Sequence, residues 1–335
     1  MGERPHVSIL LPCYNAALTI DQAVDSLLGQ TFADFEILAI DDGSTDATAS
    51  KLRSWAARDK RIVTRTIDRA GIVTALNTAV STAQGELLVR MDADDISAPT
   101  RLEEQVKLLD GLPALAGCGT QMRYFPRDIV RDGARRYEAW INGLTAPAQI
   151  ERDLFVECPI PHPTLALRRT ALAEVGGYRE AQWPEDYDLV LRLCTSGHRL
   201  GKVPRVLFYW RESVDRLSRT DPRYSDGAFR KCKVHYLAGR ISGRPVAICG
   251  AGPVGKAFAR ELTSQGHTVT AFVDLDPRKI GQRIHGAPVV SPARISILAD
   301  AYFLAAVASE KAREEIRRYL TECGLEETRD FCAVA

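Results

Sequence analysis

Apolar positions along this chain fall into two alternating rhythms. Val7–Leu11, Phe35–Ile40 and the apolar part of Glu86–Val89 are short continuous runs of the kind carried by strands buried on both faces. Arg61–Thr66 reads as a further strand. Between these runs the spacing changes to that of a helix: Ile20, Ala23, Val24, Leu27 and Leu28 recur on one face, with Thr19 placed as N-cap. Thr74–Thr82 predicts a short helix, and Pro99 suits the first turn of the next. Strand and helix alternate from residue 7 to about 110, which predicts an α/β fold of parallel strands joined by helical crossovers. Pro12 is expected to end the first strand.

The chemistry gathers where those strands should stop. Pro12–Asn15, Asp41–Asp46 and Asp92–Asp95 all fall at carboxyl ends of strands, where an open α/β sheet keeps its ligand crevice. Gly43 permits a sharp turn, and Ser44, Thr45 or Asp46 can cap the helix that follows. Asp92, Asp94 and Asp95 repel one another unless a cation sits between them. Mg²⁺ or Mn²⁺ takes oxygen ligands of this kind together with substrate phosphates. The first two loops can hold a base and ribose, and the third a diphosphate through the metal. Each stretch taken alone is also a good generic turn.

Together these segments carry a resemblance. Val7-Ser-Ile-Leu-Leu-Pro-Cys-Tyr-Asn15, Ser26-Leu-Leu-Gly-Gln-Thr-Phe32, Ile40-Asp-Asp-Gly-Ser-Thr-Asp46, Gly71…Ala75-Leu-Asn77, Gly85-Glu and Met91-Asp-Ala-Asp-Asp95 resemble, in order and spacing, the opening of family 2 glycosyltransferases. The resemblance implies a GT-A fold, a nucleoside-diphosphate sugar donor, most simply UDP-linked, a divalent metal and inverting transfer to a hydroxyl. By carry-over, Pro12, Tyr14 and Asp42 contact the nucleoside, Asp92 faces the ribose and Asp94 binds the metal. Arg69 stands where many members have Asn. His162, in Pro159-Ile-Pro-His-Pro-Thr164, falls in the family's His-Pro-Thr segment and is a candidate contact to metal or diphosphate; a lone histidine is also an ordinary core residue. Glu185-Asp186, before Tyr187-Asp188, resembles the catalytic Glu-Asp motif. Asp186 is the candidate general base, although an acid in a first helical turn is favoured by the macrodipole whatever its chemistry. Val206-Leu-Phe-Tyr-Trp-Arg211, with Arg216 and Ser218 beyond it, resembles the strand and loop that close such domains. Arg211 matches phosphate geometry there. Trp183 reads as a packing or stacking aromatic.

From 111 to 148 the pattern loosens: Gly117–Phe125 can be a strand, and Arg131–Arg136 is charged and expected to be exposed. Between Arg199 and Arg244 twelve basic residues face four acidic ones. Tyr224–Ala238 reads as a helix joining two domains, and its basic stripe could attract a polyanion or be a solvated face. Then Val246-Ala-Ile-Cys-Gly-Ala-Gly-Pro-Val-Gly255 reads as strand, glycine turn and helix start. Gly250, Gly252 and Gly255 fit Gly-x-Gly-x-x-Gly, with Asp274 about 20 residues on, where a Rossmann unit places its ribose ligand. Ala301–Val307, the helix Ser309–Cys323 and the tail from Asp330 complete a small sheet. NAD or another nucleotide could sit there, or the unit could be structural and support a homodimer. The expected division is a GT-A domain over 1–222, a connecting helix over 223–244 and a smaller Rossmann-like α/β domain over 245–335.

A narrower, patchy resemblance spans both domains. Arg136-Tyr-Glu-Ala-Trp-Ile-Asn-Gly-Leu144, Pro184-Glu-Asp186, Val273-Asp-Leu-Asp-Pro-Arg-Lys-Ile280 and the late Asp-Phe are similar to the eukaryotic tRNA-queuosine galactosyltransferase family, in which the position of Gly250 is not glycine. It implies a modified tRNA nucleoside as acceptor, beside the saccharide or lipid-linked glycan of the wider family. A catalytically idle nucleotide-binding module that regulates a partner, and an oxidoreductase built on the second domain, are the competing classes. Composition narrows little: 335 residues fit about two domains, and 45% hydrophobic and 26% charged residues with net charge +1 are ordinary for a globular protein. No run approaches the ~20 apolar residues of a membrane span. Met1-Gly-Glu-Arg-Pro-His reads as neither leader nor myristoylation signal. Eight cysteines without a Cys-x-x-Cys pair read as reduced thiols of a cytoplasmic protein.

Overall fold

The computed structural model describes residues 4–213 and 216–335, without the side chains of Leu217 and Ser218. Ser218 and the N-terminal Met-Gly-Glu, singled out in the sequence, therefore lie outside the described atoms. The chain divides into two compact units. The first comprises Met1–Ile150, Pro159–Ala181 and Asp188–Thr220; the second comprises Glu151–Cys158, Gln182–Tyr187 and Asp221–Ala335.

The first unit is built on an eight-stranded mixed sheet. Its strands are β1 (Val7–Cys13), β2 (Phe35–Asp42), β3 (Ile62–Ile67), β4 (Leu87–Arg90), β5 (Ile96–Ser97), β6 (Leu115–Phe125), β7 (Ala166–Arg168) and β8 (Arg199–Arg211), in the spatial order β3-β2-β1-β4-β7-β6-β8-β5. β1 pairs in parallel with β2 and β4, and β2 with β3. β7 then runs antiparallel to both β4 and β6. All eight positions of β2 are buried, as a strand covered on both faces requires. Val7, Ile9 and Leu11 of β1 share a core with Ile20, Ala23, Val24 and Leu27 of the first helix and Leu87 and Val89 of β4. Because β1, β2 and β4 are parallel, their carboxyl ends (Cys13, Asp42 and Arg90) open on the same edge of the sheet.

Local expectations differ from the structure in three places. Pro12 lies within β1, opposite Ile40, beyond the last pair with β4 at Leu10–Arg90. There the strand is paired on one side only, and a missing N–H is tolerated. Thr19 makes no capping hydrogen bond; its hydroxyl donates back to the Ala16 carbonyl at 3.3 Å. Arg131–Arg136 is exposed apart from half-buried Ala134, as expected, and leads into the helix Asp132–Gly143, which packs Ile141 inside. Finally, two residues of the basic run are internal and others are ion-paired. Lys202 is buried and donates to the Ile141 and Pro159 carbonyls, and Lys233 is buried and donates to Val156 and Val334 carbonyls at 2.7 and 3.1 Å. Arg205 pairs with Glu104, Arg219 with Glu212, Arg223 with Asp221 and Arg244 with Asp330. Charge counted along the sequence therefore overstates what the surface offers a polyanion.

The second unit holds a six-stranded sheet of β9 (Val246–Cys249), β10 (Val269–Val273), β11 (Arg283–Ile284), β12 (Ala287–Val290), β13 (Tyr302–Ala305) and β14 (Phe331–Ala333), ordered β11-β12-β10-β9-β13-β14. β12, β10, β9, β13 and β14 are mutually parallel. The chain goes outward from β9 to one side and returns to β13 on the other, the doubly wound order of a Rossmann sheet. Arg317, on the helix Glu310–Glu322, anchors that helix inside the unit through Asp153 at 2.5 Å and Glu327 at 2.8 Å. None of the eight cysteines is in a disulfide, and six are buried.

Candidate active site

Asp42 ends β2 with its side chain almost fully enclosed. Its carboxylate accepts from the backbone N–H of Ala70 at 2.7 Å and of Gly71 at 3.0 Å, and pairs with Arg69. It thus pins the loop that leads into the helix Ile72–Thr82. The Arg69 guanidinium lies 3.7 Å from the ring centroid of Tyr14, which is 46% exposed. Pro12, half-buried, precedes that ring. Asn15 clips the first two loops together, its N–H donating to Ser44 Oγ at 2.9 Å and its Oδ1 accepting from Thr45 N at 2.9 Å. Gly43 has φ +67°, and a Cβ there would stand 2.8 Å from Arg69 N, so only glycine fits. The N-cap of the helix Thr48–Arg58 is Ala47, not Ser44, Thr45 or Asp46; Asp46, one residue earlier, accepts from Thr48 N at 2.9 Å.

One carboxylate oxygen from each of Asp92, Asp94 and Asp95 lies within 4.8 Å of the others, and all three belong to the turn after β4. Asp92 is held by Arg90 Nη2 at 2.6 Å. Asp95 is buried; one oxygen accepts from Arg211 N at 2.6 Å and the other has no hydrogen-bond partner among the described residues. Burial, reinforced by Asp92, pushes the Asp94 carboxyl up to about 6. Burial and then Asp94 and Asp92 raise Asp95 well above the usual carboxylate range. A cluster of hard oxygens with an orphaned buried oxygen, held at a protonation cost, fits a divalent cation. Arg211 closes the group: Nε donates to the Asp94 carbonyl at 2.6 Å and Nη2 to Gln22 at 2.6 Å, over the Phe125 ring at 4.6 Å. Arg216 stacks 4.2 Å above Trp210.

His162 is not in the carboxylate group. Its Nε2 stands 3.0 Å from the Tyr178 hydroxyl, and burial, with Arg90 nearby, keeps its pKa well below the usual value. Two arginines that the sequence reading missed support the site from inside the fold. Arg90 carries Asp92. Arg101 is fully buried and donates to the carbonyls of Arg90 at 2.8 Å and Pro163 at 2.9 Å. An arginine within the apolar run just before Asp92 was the one available signal.

In the second unit Glu185 and Asp186 open the helix Glu185–Thr195. Glu185 is buried and accepts from the Tyr224 hydroxyl at 2.7 and 2.9 Å. Asp186 Oδ1 accepts from Tyr187 N at 2.7 Å, and its carboxyl is pushed up to about 8 by burial first, then by Glu185 and Glu157. Trp183 packs on His235 with ring centroids 5.3 Å apart. Gly250 and Gly255 form the tight turn after β9. Asp274, at the end of β10, receives Ala251 N at 2.8 Å and Lys279 Nζ at 3.0 Å, so it braces the glycine loop.

A curled mixed sheet whose parallel strands end in nucleotide-sized loops and an acidic trio is the architecture of a GT-A glycosyltransferase. The family model described as "Glycosyl transferase family 2" matches residues 8–176, and the chain belongs to that family. EpsE of Bacillus subtilis (strain 168), named as a glycosyltransferase, is 32% identical over 233 residues, which cover 67% of this chain and 80% of that protein. Among solved structures, S. aureus TarS 1-349 in complex with UDP-GlcNAc aligns with TM-score 0.57 at 18% identity, over 76% of this chain and 71% of that one. The mannosyltransferase PcManGT of Pyrobaculum calidifontis, in complex with GDP-Man and Mn2+, aligns with TM-score 0.52 at 24% identity, over 72% of this chain and 64% of that one. These likenesses establish the GT-A fold. Among the described residues no helix is long and apolar enough to cross a membrane.

Proposed function

We propose that this protein is an inverting, metal-dependent glycosyltransferase that moves a sugar from a UDP-sugar to a hydroxyl acceptor. The observation that carries this reading is the trio Asp92, Asp94 and Asp95, gathered within 4.8 Å with one buried oxygen left without a partner among the described residues. In this reading Asp94, with Asp92 and Asp95 beside it, holds a Mn²⁺ or Mg²⁺ ion. That ion supplies charge stabilisation to the departing diphosphate. PcManGT in complex with GDP-Man and Mn2+ supports the choice of metal, and TarS in complex with UDP-GlcNAc the choice of donor. Tyr14 and Pro12 offer the nucleoside a ring face and an apolar edge. Asp42 fixes the Arg69–Gly71 loop against it, and Arg211 holds the backbone of the acidic turn in place.

Asp186 takes the proton from the acceptor hydroxyl, which attacks the anomeric carbon as the diphosphate departs from the opposite face. A carboxyl raised to about 8 is a stronger base once ionised than an ordinary aspartate. No covalent enzyme intermediate is needed. The acceptor is a hydroxyl of a saccharide, a lipid-linked glycan or a modified tRNA nucleoside. The test is the purified full chain with Mn²⁺ and a panel of sugar nucleotides, followed by nucleoside diphosphate release. Release from a UDP-sugar, lost in Asp94→Asn, is the expected result. No release from any donor, with or without metal, would overturn the reading.

A further inference from the structure

One edge of the first unit carries apolar side chains that the fold leaves in water. β7 runs antiparallel to β4 and β6, and β8 is parallel to β6, so the carboxyl ends of β6 and β8 lie on the same edge as those of β1, β2 and β4. Two segments leave the sheet there. After β1 the chain passes through Leu18, which is fully exposed, into the helix Ile20–Leu28. After β6 it passes through Ile129, which is 51% exposed, into the helix Asp132–Gly143. Arg211 ties both segments to one rim: its Nη2 donates to Gln22 of the first helix at 2.6 Å, and its guanidinium lies 4.6 Å from the Phe125 ring at the end of β6. A single exposed aliphatic residue is ordinary, but two on one rim beside a cluster of arginines are a surface feature.

Arginines surround Ile129. Arg127, Arg131, Arg135 and Arg136 are all exposed, and Asp128 and Asp132 are the acids of the same stretch. Arg135 braces the loop, its Nε donating to the Val130 carbonyl at 3.2 Å and its Nη2 to the Arg127 carbonyl at 3.1 Å. Arg127 pairs with Glu138 at 2.7 Å. Two of the four arginines thus hold Ile129 outward on a fixed loop. Arg131 and Arg136 make no ion pair among the described residues, so their charges face solvent.

We propose that this rim rests on the surface of a membrane that bears anionic phospholipids. Leu18 and Ile129 enter the boundary between headgroups and acyl chains, and Arg131 and Arg136 meet lipid phosphates. Aliphatic tips with guanidinium groups beside them are the composition of a peripheral membrane contact. Guanidinium groups match phosphate oxygens, whereas protruding aliphatic side chains gain little from the phosphates and sugars that cover a nucleic acid. Two short side chains and a small excess of positive charge give reversible association, not an anchor. The contact needs nothing of the transfer reaction and is tested apart from it.

Co-sedimentation of the purified full chain with vesicles is the test. One set is phosphatidylcholine alone, and the other is an equal mixture of phosphatidylcholine and phosphatidylglycerol. The chain should sediment with the mixture, much less with phosphatidylcholine alone, and high salt should release it. Arg131→Gln combined with Arg136→Gln should weaken binding by about fivefold for each charge removed. Leu18→Ser combined with Ile129→Ser should weaken it by at least about tenfold. All four side chains are exposed, so both variants should keep the wild-type melting temperature, which shows that the fold is intact. No sedimentation with the mixture, equal sedimentation with both vesicles, or unchanged binding in both variants overturns the proposal. Capture of the chain by a single-stranded RNA without binding to vesicles assigns the rim to nucleic acid and overturns it as well.

Discussion

Replacing Asp94 by Asn should abolish transfer and yet stabilise the metal-free protein. In the native state Asp94 titrates near 6 instead of the ordinary 3.8, because burial and the neighbouring Asp92 disfavour its charge. A group whose folded pKa is raised favours the folded state when protonated, and its ionisation costs stability as pH climbs from the unfolded value through the folded one. The difference of about 2 units corresponds to about 3 kcal/mol once both states are ionised, at pH 7. At pH 4.5 the same group costs only about 1 kcal/mol, since it remains largely protonated in the fold. Asparagine removes the charge. In EDTA at pH 7 the variant should melt several degrees above the wild type, at roughly 2–4 °C per kcal/mol for a unit of this size. The gain should shrink at pH 4.5. Mn²⁺ should raise the melting temperature of the wild type and leave the variant unmoved. The assay is differential scanning calorimetry across that matrix of pH and metal. A variant that melts lower than the wild type in EDTA at pH 7, or gains equally at both pH values, refutes the reasoning.

Three other outcomes follow from the same geometry. Transfer should rise as pH passes about 8, the value to which Asp186 is pushed, and Asp186→Asn should lower kcat by at least about a hundredfold while donor affinity by calorimetry stays unchanged. Gly43→Ala places a methyl 2.8 Å from Arg69 N in a left-handed backbone, so it should cost about 1–3 kcal/mol in urea unfolding and weaken UDP binding through the displaced loop. Removal of divalent metal with EDTA should stop nucleoside diphosphate release, and Mn²⁺ added back should restore it, read by a coupled assay for UDP.

The sequence carried the fold through features that act locally. Continuous apolar runs marked β1 and β2 because strands buried on both faces need apolar side chains at every position. Gly43 and Gly250 announced turns because those backbones exclude a Cβ. What stayed hidden depends on partners distant along the chain. Nothing near Asp42 in sequence indicates that its carboxylate binds the backbone of Ala70 and Gly71. Arg90 and Arg101 look like surface residues until the sheet closes round them. Lys233 belongs to a run of positive charge that reads as solvated, yet its ammonium caps carbonyls from two remote segments, at Val156 and Val334. Thr19 failed as a cap for a smaller reason: its hydroxyl found the Ala16 carbonyl first.

The account's central claim is that Asp92, Asp94 and Asp95 hold the cation that carries the donor's diphosphate. Anomalous diffraction from crystals soaked with Mn²⁺ and UDP tests it most directly. The account predicts a manganese peak at about 2.1 Å from an Asp94 oxygen, bridged to the diphosphate. A diphosphate bound with no metal at this trio, or manganese bound elsewhere in the protein, would contradict it.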